Sequence, residues 1–252
     1  KEHEKYISYF KDIHSITTVD IPNQPNAISG KKLMDKFNNI PNVKFKGSIE
    51  EAIKSSCACV MIRPKYVSLA KKIIKSYNSN LKIGTVIDFP LGDADTLIKV
   101  EQSKNALNEG AYDIDYVCDY NAFKRGSLDK FDKDILEGTK IVLENNGDVK
   151  WIIETGALSK KEIRDITKRI TNLIEKNFSE KSSKVFIKTS TGYYGSYGAT
   201  TKDIKVIKSI CRSLKIKASG GISNLKECIN MIEAGADRIG TSKAHLIIKE
   251  KK

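Results

Sequence analysis

The sequence predicts an α/β fold: a (β/α)8 barrel forming one domain over residues 1–252, with a short N-terminal helical extension. Three observations predict it. Short apolar runs alternate with helical stretches along most of the chain, which implies a parallel sheet. Eight such units in 252 residues match the size of a barrel of this kind. No GxGxxG follows an early strand, which weakens the alternative, an open doubly wound sheet with a dinucleotide site. The barrel also says where chemistry should lie, because catalytic groups gather at the carboxyl ends of its strands.

The elements follow in order. Residues 1–12 read as an amphipathic helix, with Tyr6, Phe10 and Ile13 near helical spacing. Residues 15–19 read as the first strand. Prolines, asparagines and a glycine make 20–30 a loop, and 31–37 read as a helix. Ser48 and Glu51 have the spacing of a capping box and are read as a helix start. Strands are then expected at 57–62, 82–89, 112–118, 150–154, 185–187, 215–218 and 237–240. Helices are expected at 66–77, 94–109, 128–145, 159–176, 201–213 and 224–234, with a short one after Lys243. Gly110 and Gly235 stand where two of these helices stop.

Composition excludes several functions. The 40% hydrophobic content supports a sizeable core, yet no apolar run approaches a membrane span. The opening Lys1-Glu2-His3-Glu4-Lys5 is charged, unlike a secretory leader. The net charge of +13 comes mostly from lysines scattered among acids, without interleaved exposed aromatics. That pattern reads as a solvated surface that attracts phosphorylated substrates, with neither nucleic acid nor membrane as partner. Of the five cysteines only Cys57 and Cys59 are close, and C-x-C on a strand points both to one face. That is neither a zinc-ribbon nor a redox spacing, so a reduced, cytoplasmic protein is expected.

The segment 183–192 organises the rest. Val185, Phe186 and Ile187 form a buried-strand signal that ends on Lys188, followed by Thr189, Ser190, Thr191 and Gly192. A lysine on a buried strand is costly unless neutral or paired, and a neutral lysine attacks carbonyls to form a Schiff base. The competing reading is a strand-edge lysine that reaches solvent. Lys217 lies one strand–helix unit later, so it should sit beside Lys188 at similar height. Mutual repulsion would then depress at least one of the two pKa values. Alternatively, Lys217 points outward or pairs with a carboxylate such as Glu154. Asp113 and Asp115 are two apart and share a face of their strand. Gly220-Gly221 and Gly240-Thr241-Ser242 follow the last two strands, where backbone N–H groups in such barrels hold phosphate. Tight turns alone also account for these glycines.

Together, residues 83–92 (IGTVIDFPLG), 113–115 (DID), 152–158 (IIETGAL), 186–192 (FIKTSTG), 217–222 (KASGGI) and 238–242 (RIGTS) resemble the deoxyribose-phosphate aldolase family, in family order. The resemblance covers residues 57–247. It implies a TIM barrel and reversible class I cleavage of 2-deoxy-D-ribose 5-phosphate to D-glyceraldehyde 3-phosphate and acetaldehyde, with no metal or organic cofactor. It makes Lys188 the Schiff-base lysine, Lys217 the lysine that tunes it and Asp115 the acid/base group acting through water. The substrate and its phosphate would be held by Thr191, Gly192, Gly220, Gly221, Gly240, Thr241 and Ser242.

The chain departs from the family pattern in several places. Met61 stands where the family often has cysteine, Ser15 where it has an aspartate, and Ser223 where an arginine is common. Tyr193 replaces the lysine of one branch, and the terminal tyrosine of some members is absent. Lys243 stands where the family has a serine, and is expected to replace part of the missing positive charge. Two other function classes stay open: another Schiff-base aldolase or transaldolase on the same barrel, and a non-catalytic basic binding protein. The sequence leaves a homo-oligomer open.

Overall fold

In the computed structural model, residues 16–17, 42–195 and 197–250 are described. The N-terminal extension, the loop at 20–30, the helix at 31–37 and Ser15 fall outside them. Strands alternate with helices as expected: β1 (Ile16–Thr17), α1 (Asn42–Lys54), β2 (Cys59–Ile62), α2 (Val67–Ser76), β3 (Lys82–Ile87), α3 (Thr96–Glu109) and β4 (Asp113–Val117). They continue as α4 (Tyr120–Lys124), α5 (Leu128–Glu144), β5 (Asp148–Ile152), α6 (Lys160–Phe178), β6 (Val185–Lys188), α7 (Thr201–Lys208), β7 (Lys215–Ser219), α8 (Leu225–Glu233), β8 (Arg238–Gly240) and α9 (Ala244–Glu250). Every ladder is parallel, and the sheet runs β1-β8-β7-β6-β5-β4-β3-β2. The strands lie in chain order from β2 to β8, as right-handed crossovers through helices on one face produce.

The two faces of the strands carry different chemistry. On β4, Ile114 and Tyr116 face the helices. The Tyr116 hydroxyl donates to Ser103 Oγ of α3 at 2.6 Å, and its ring stacks on Trp151 of β5 at 4.6 Å. Trp151 Nε1 donates to Thr139 Oγ1 at 3.0 Å. Gly138 of α5 lets the helix come this close, since a Cβ there would stand 2.9 Å from the indole. Asp113 and Asp115 alternate with these residues and face inward, as period two requires. They are nearly or wholly excluded from solvent.

Several expectations need correcting. α1 begins at Asn42, so Ser48 and Glu51 lie inside it rather than at its cap. That helix runs through Gly47, where an added Cβ would meet nothing within 4 Å. The capping box belongs to α6, where Ser159 Oγ accepts from the Glu162 N–H and the Glu162 carboxylate accepts from the Ser159 N–H. α4 was not expected; Asp119 starts it by accepting from the Ala122 N–H at 2.7 Å. α7 ends at Lys208 instead of 213. Cys57 precedes β2, so the two cysteines do not share a strand face. Glu51 of α1 is the charge beside Cys57, whereas Cys59 meets Asp113 and Lys150 inside the sheet. All five cysteines are buried free thiols. Among the described residues no helix is long and apolar enough to cross a membrane.

Candidate active site

Register brings the two sequence-predicted lysines together. Lys188 ends β6 and pairs with Lys217 across the β6–β7 ladder. Lys217 is fully buried and Lys188 is 5% exposed. Both amines reach the same oxygen: Lys188 Nζ donates to Asp115 Oδ2 at 2.9 Å and Lys217 Nζ at 2.8 Å. Lys217 therefore points inward and takes Asp115, not Glu154, as its partner. Gly240 makes room for it, because a Cβ there would lie 3.0 Å from Lys217 Cε.

Beneath this trio the interior stays ionic. Lys150 of β5 is fully buried, with Nζ 2.8 Å from Asp113 Oδ2 and 3.0 Å from Asp115 Oδ1. These are ion-pair contacts rather than aligned hydrogen bonds. Arg238 of β8 donates to Asp113 Oδ2 at 2.7 Å and stacks on Phe186, 4.6 Å from the ring centroid. Two buried carboxylates thus face four basic side chains, and removing either carboxylate would leave buried cations uncompensated.

This arrangement sets the protonation states. Burial pushes the Asp115 carboxyl up, but Lys150, Lys188 and Lys217 outweigh it and hold the pKa well below the ordinary range. Asp113 is lowered likewise, with Lys150 and Arg238 overcoming burial. Lys150 keeps its charge firmly, since Asp113 and Asp115 more than offset its burial. Lys217 moves the other way, from 10.5 to about 8. Burial is the larger cause, opposed by Asp115 and reinforced by Lys188 and Lys150. The expected depression is therefore present on Lys217, with repulsion as the secondary contribution. A lysine at about 8 beside an ionised carboxylate can exchange protons near neutral pH.

The loops above the trio carry the remaining predicted residues. Thr189 and Ser190 donate their hydroxyls to Ser219 O of β7, at 3.0 and 2.6 Å. The Thr191 N–H and hydroxyl donate to Glu154 Oε2. Gly192 lies against Gly220, and both have positive φ, 80° and 92°. At Gly220 a side chain would also press on Ser190 Oγ. Gly221, φ 75°, faces open space. The Thr241 hydroxyl ties its turn to the loop after β7, donating to Ile222 O at 2.6 Å and accepting from the Lys243 N–H at 2.9 Å. The side chains of Ser242 and Lys243 are exposed. Neither departure supplies a cation: Tyr193 stands edge-on to Phe89, 5.1 Å between centroids, and Ser223 donates to the Glu227 carboxylate. Met61 is buried on β2, with Sδ accepting from Cys59 Sγ at 3.8 Å.

Comparison with known proteins gives this geometry its context. The sequence model described as DeoC/LacD family aldolase matches residues 26–242. The chain belongs to this aldolase family. It is 41% identical over 210 residues to a deoxyribose-phosphate aldolase of Mesomycoplasma hyopneumoniae, covering 80% of this chain and 85% of that protein. It is 35% identical over 201 residues to the enzyme of that name from Thermococcus gammatolerans, covering 79% and 85%. Among solved structures, an aldolase called QR15 is 34% identical with a TM-score of 0.72, over 83% of this chain and 88% of that one. The tetrameric deoxyribose phosphate aldolase of Aeropyrum pernix, 23% identical, shares the fold with a TM-score of 0.71, over 84% and 85%.

In this member of the DeoC/LacD family, sequence reasoning missed Lys150, Arg238 and the grip of Glu154 on Thr191. The apolar run puts Lys150 at the start of its strand, whereas β5 begins two residues earlier, at Asp148. The signal for it was a charge at period two on neighbouring strands, opposite in sign to Asp113 and Asp115.

Proposed function

We propose that this chain is a class I aldolase that reversibly cleaves 2-deoxy-D-ribose 5-phosphate to D-glyceraldehyde 3-phosphate and acetaldehyde, with Lys188 as the Schiff-base amine. The observation that carries this reading is the convergence of two lysine amines, Lys188 at the end of β6 and Lys217 within β7, on one buried carboxylate oxygen of Asp115 within β4. The Lys188 amine adds to the C1 aldehyde and loses water, leaving an iminium. The C3 hydroxyl gives up its proton, and the C2–C3 electron pair moves into the iminium as an enamine. Glyceraldehyde 3-phosphate departs. A proton returned to C2 gives the acetaldehyde imine, which water hydrolyses to acetaldehyde and free Lys188.

Asp115 and Lys217 move the protons in this reading, Asp115 through water. Their shared hydrogen bond and the Lys217 pKa of about 8 support those roles. Backbone N–H groups around Gly192, Gly220, Gly221, Gly240, Thr241 and Ser242 take the phosphate, with Lys243 adding charge. Thr191 shapes that end of the site.

The same proposal takes the chain as one TIM-barrel domain. The outer strands β1 and β2 come within 8 Å at Cα positions, which supports closure of the sheet. It also takes the protein as a cytoplasmic homo-oligomer, an extension from the tetrameric Aeropyrum neighbour.

Acetaldehyde should be released from deoxyribose 5-phosphate and not from other sugar phosphates. Borohydride with acetaldehyde should add mass irreversibly at Lys188, and Lys188→Ala should lose both adduct and turnover. An active alanine variant, or an adduct elsewhere, overturns the assignment. Absence of any adduct would favour a binding protein.

A further inference from the structure

The loop after Lys188 is held from two sides. Thr189 and Ser190 bind it to β7, through Ser219 O. Thr191 binds it to the end of β5, where its N–H, at 3.1 Å, and its hydroxyl both donate to Glu154 Oε2. The Thr191 oxygen then accepts from the Tyr193 N–H at 3.0 Å. The Tyr193 ring meets Phe89, over which the Arg63 guanidinium lies 4.7 Å from the ring centroid. One chain of contacts thus crosses the mouth from β5 and β6 to the loops after β3 and β2. Gly192 sits within it, against Gly220.

Glu154 is an expensive residue to place here. It is 2% exposed, and its Oε1 has no hydrogen-bond partner among the described residues. Its backbone is left-handed, with φ 55° and ψ 69°, a conformation that favours glycine. Burial raises its pKa, with the Thr191 bonds and Lys188 pulling the other way. Stability alone would select against a carboxylate in this position, and buried orphan oxygens call for an explanation. Its two bonds to Thr191 supply one.

We propose that Glu154 is a positioning residue for the phosphate end of the site: by fixing Thr191, whose hydroxyl oxygen in turn holds the Tyr193 N–H, it sets Gly192 where its backbone N–H meets the substrate phosphate. This rests on the reading of the substrate as a sugar phosphate. Glu154 acts through the loop and leaves the imine chemistry of Lys188 alone.

Glu154→Gly tests it, because glycine keeps the left-handed backbone while removing the carboxylate. KM for deoxyribose 5-phosphate should rise about tenfold or more, with kcat within about threefold, the size of a lost charged hydrogen bond. Cleavage of unphosphorylated deoxyribose and acetaldehyde trapping at Lys188 should stay at the wild-type level. Glu154→Gln, which keeps an acceptor oxygen, should restore most of the KM. Equal losses on both substrates, or an unchanged KM, overturn the proposal. If the glycine variant does not fold, Thr191→Val decides: an unchanged KM for the phosphorylated sugar overturns it, and a rise upholds it. Wild-type enzyme with no preference for the phosphorylated sugar would overturn the substrate reading itself, a separate result seen before any variant is made.

Discussion

Lys188 and Lys217 are register partners on β6 and β7, and their amines share one acceptor, Asp115 Oδ2. Two ammonium groups on adjacent strands, roughly 5 Å apart by strand spacing, would repel by roughly 3 kcal/mol at an effective dielectric constant near 20. A single carboxylate oxygen between them offsets that cost only while it stays ionised. Asp115 and Lys217 are therefore coupled, and a proton lost by one changes the other. Because Asp115 is held ionised and Lys217 has a pKa of about 8, a lysine is the member that titrates near neutrality.

That assignment fixes the pH profile. If Lys217 donates protons as an ammonium, kcat/KM should fall as pH rises through about 8. Lys217→Leu should abolish this alkaline limb, move the optimum upward and lower the rate by about 10²-fold or more. A pH–rate profile of unchanged shape in the variant would show that the two amines act independently.

Asp115→Asn separates bond-making from proton transfer. The asparagine keeps the size of the side chain but no longer neutralises Lys150, Lys188 and Lys217. Deuterium wash-in at the acetaldehyde methyl group should slow by about 10²–10⁴-fold. Borohydride-trapped adduct should form with a much smaller loss. Equal losses in the two measurements would assign Asp115 a structural role.

The pairing of these residues was legible because a strand–helix unit has a regular length and a strand alternates its faces. Lys188 and Lys217 occupy equivalent places in successive units, and Asp113 and Asp115 differ by one period. The rest of the ionic interior was hidden because sequence reasoning followed apolar runs. Lys150 and Arg238 interrupt such runs; the run at 150–154 puts Lys150 at a strand start, although it sits within β5, and nothing in 237–240 points Arg238 at Asp113. The hold of Glu154 on Thr191 depends on a left-handed backbone at a strand end, for which Glu carries no local signal. Ser48 and Glu51 show the reverse error: cap-like chemistry in the middle of α1.

Lys150 carries the test of stability. Lys150→Met leaves Asp113 and Asp115 facing each other with one fewer buried cation, and breaking such a pair typically costs about 3–5 kcal/mol. The urea midpoint at pH 7 should fall accordingly. The acid response follows from the sign of the shifts. Both carboxyls have folded pKa values below the unfolded one, so their contribution is complete above the ordinary carboxylate range. It is lost as pH falls from there through the folded values. In the variant the carboxyls lose a depressing cation, so acid unfolding should begin at higher pH. An unchanged midpoint at both pH 7 and pH 4 would mean that Lys150 contributes no net stability.

Phosphate recognition has to manage without the side chains that Tyr193 and Ser223 replace. Tyr193 is packed on Phe89, and Ser223 is bonded to Glu227. Lys243 is exposed, and among the described residues its side chain has no ion pair. Its backbone is fixed by Thr241 Oγ1, beside the turn that ends β8. A charged hydrogen bond is typically worth about 1.5–3 kcal/mol, or roughly 10- to 150-fold in affinity. Lys243→Ala should therefore lower kcat/KM for deoxyribose 5-phosphate by about tenfold or more. Cleavage of unphosphorylated deoxyribose should barely change, because Lys243 takes no part in the imine chemistry proposed for Lys188. The salt dependence of kcat/KM should weaken as well, since an exposed cation is screened over about 10 Å at 0.1 M ionic strength. Equal losses on both sugars, or no loss on either, would assign phosphate binding to Gly192, Gly220, Gly221, Gly240 and Ser242 alone.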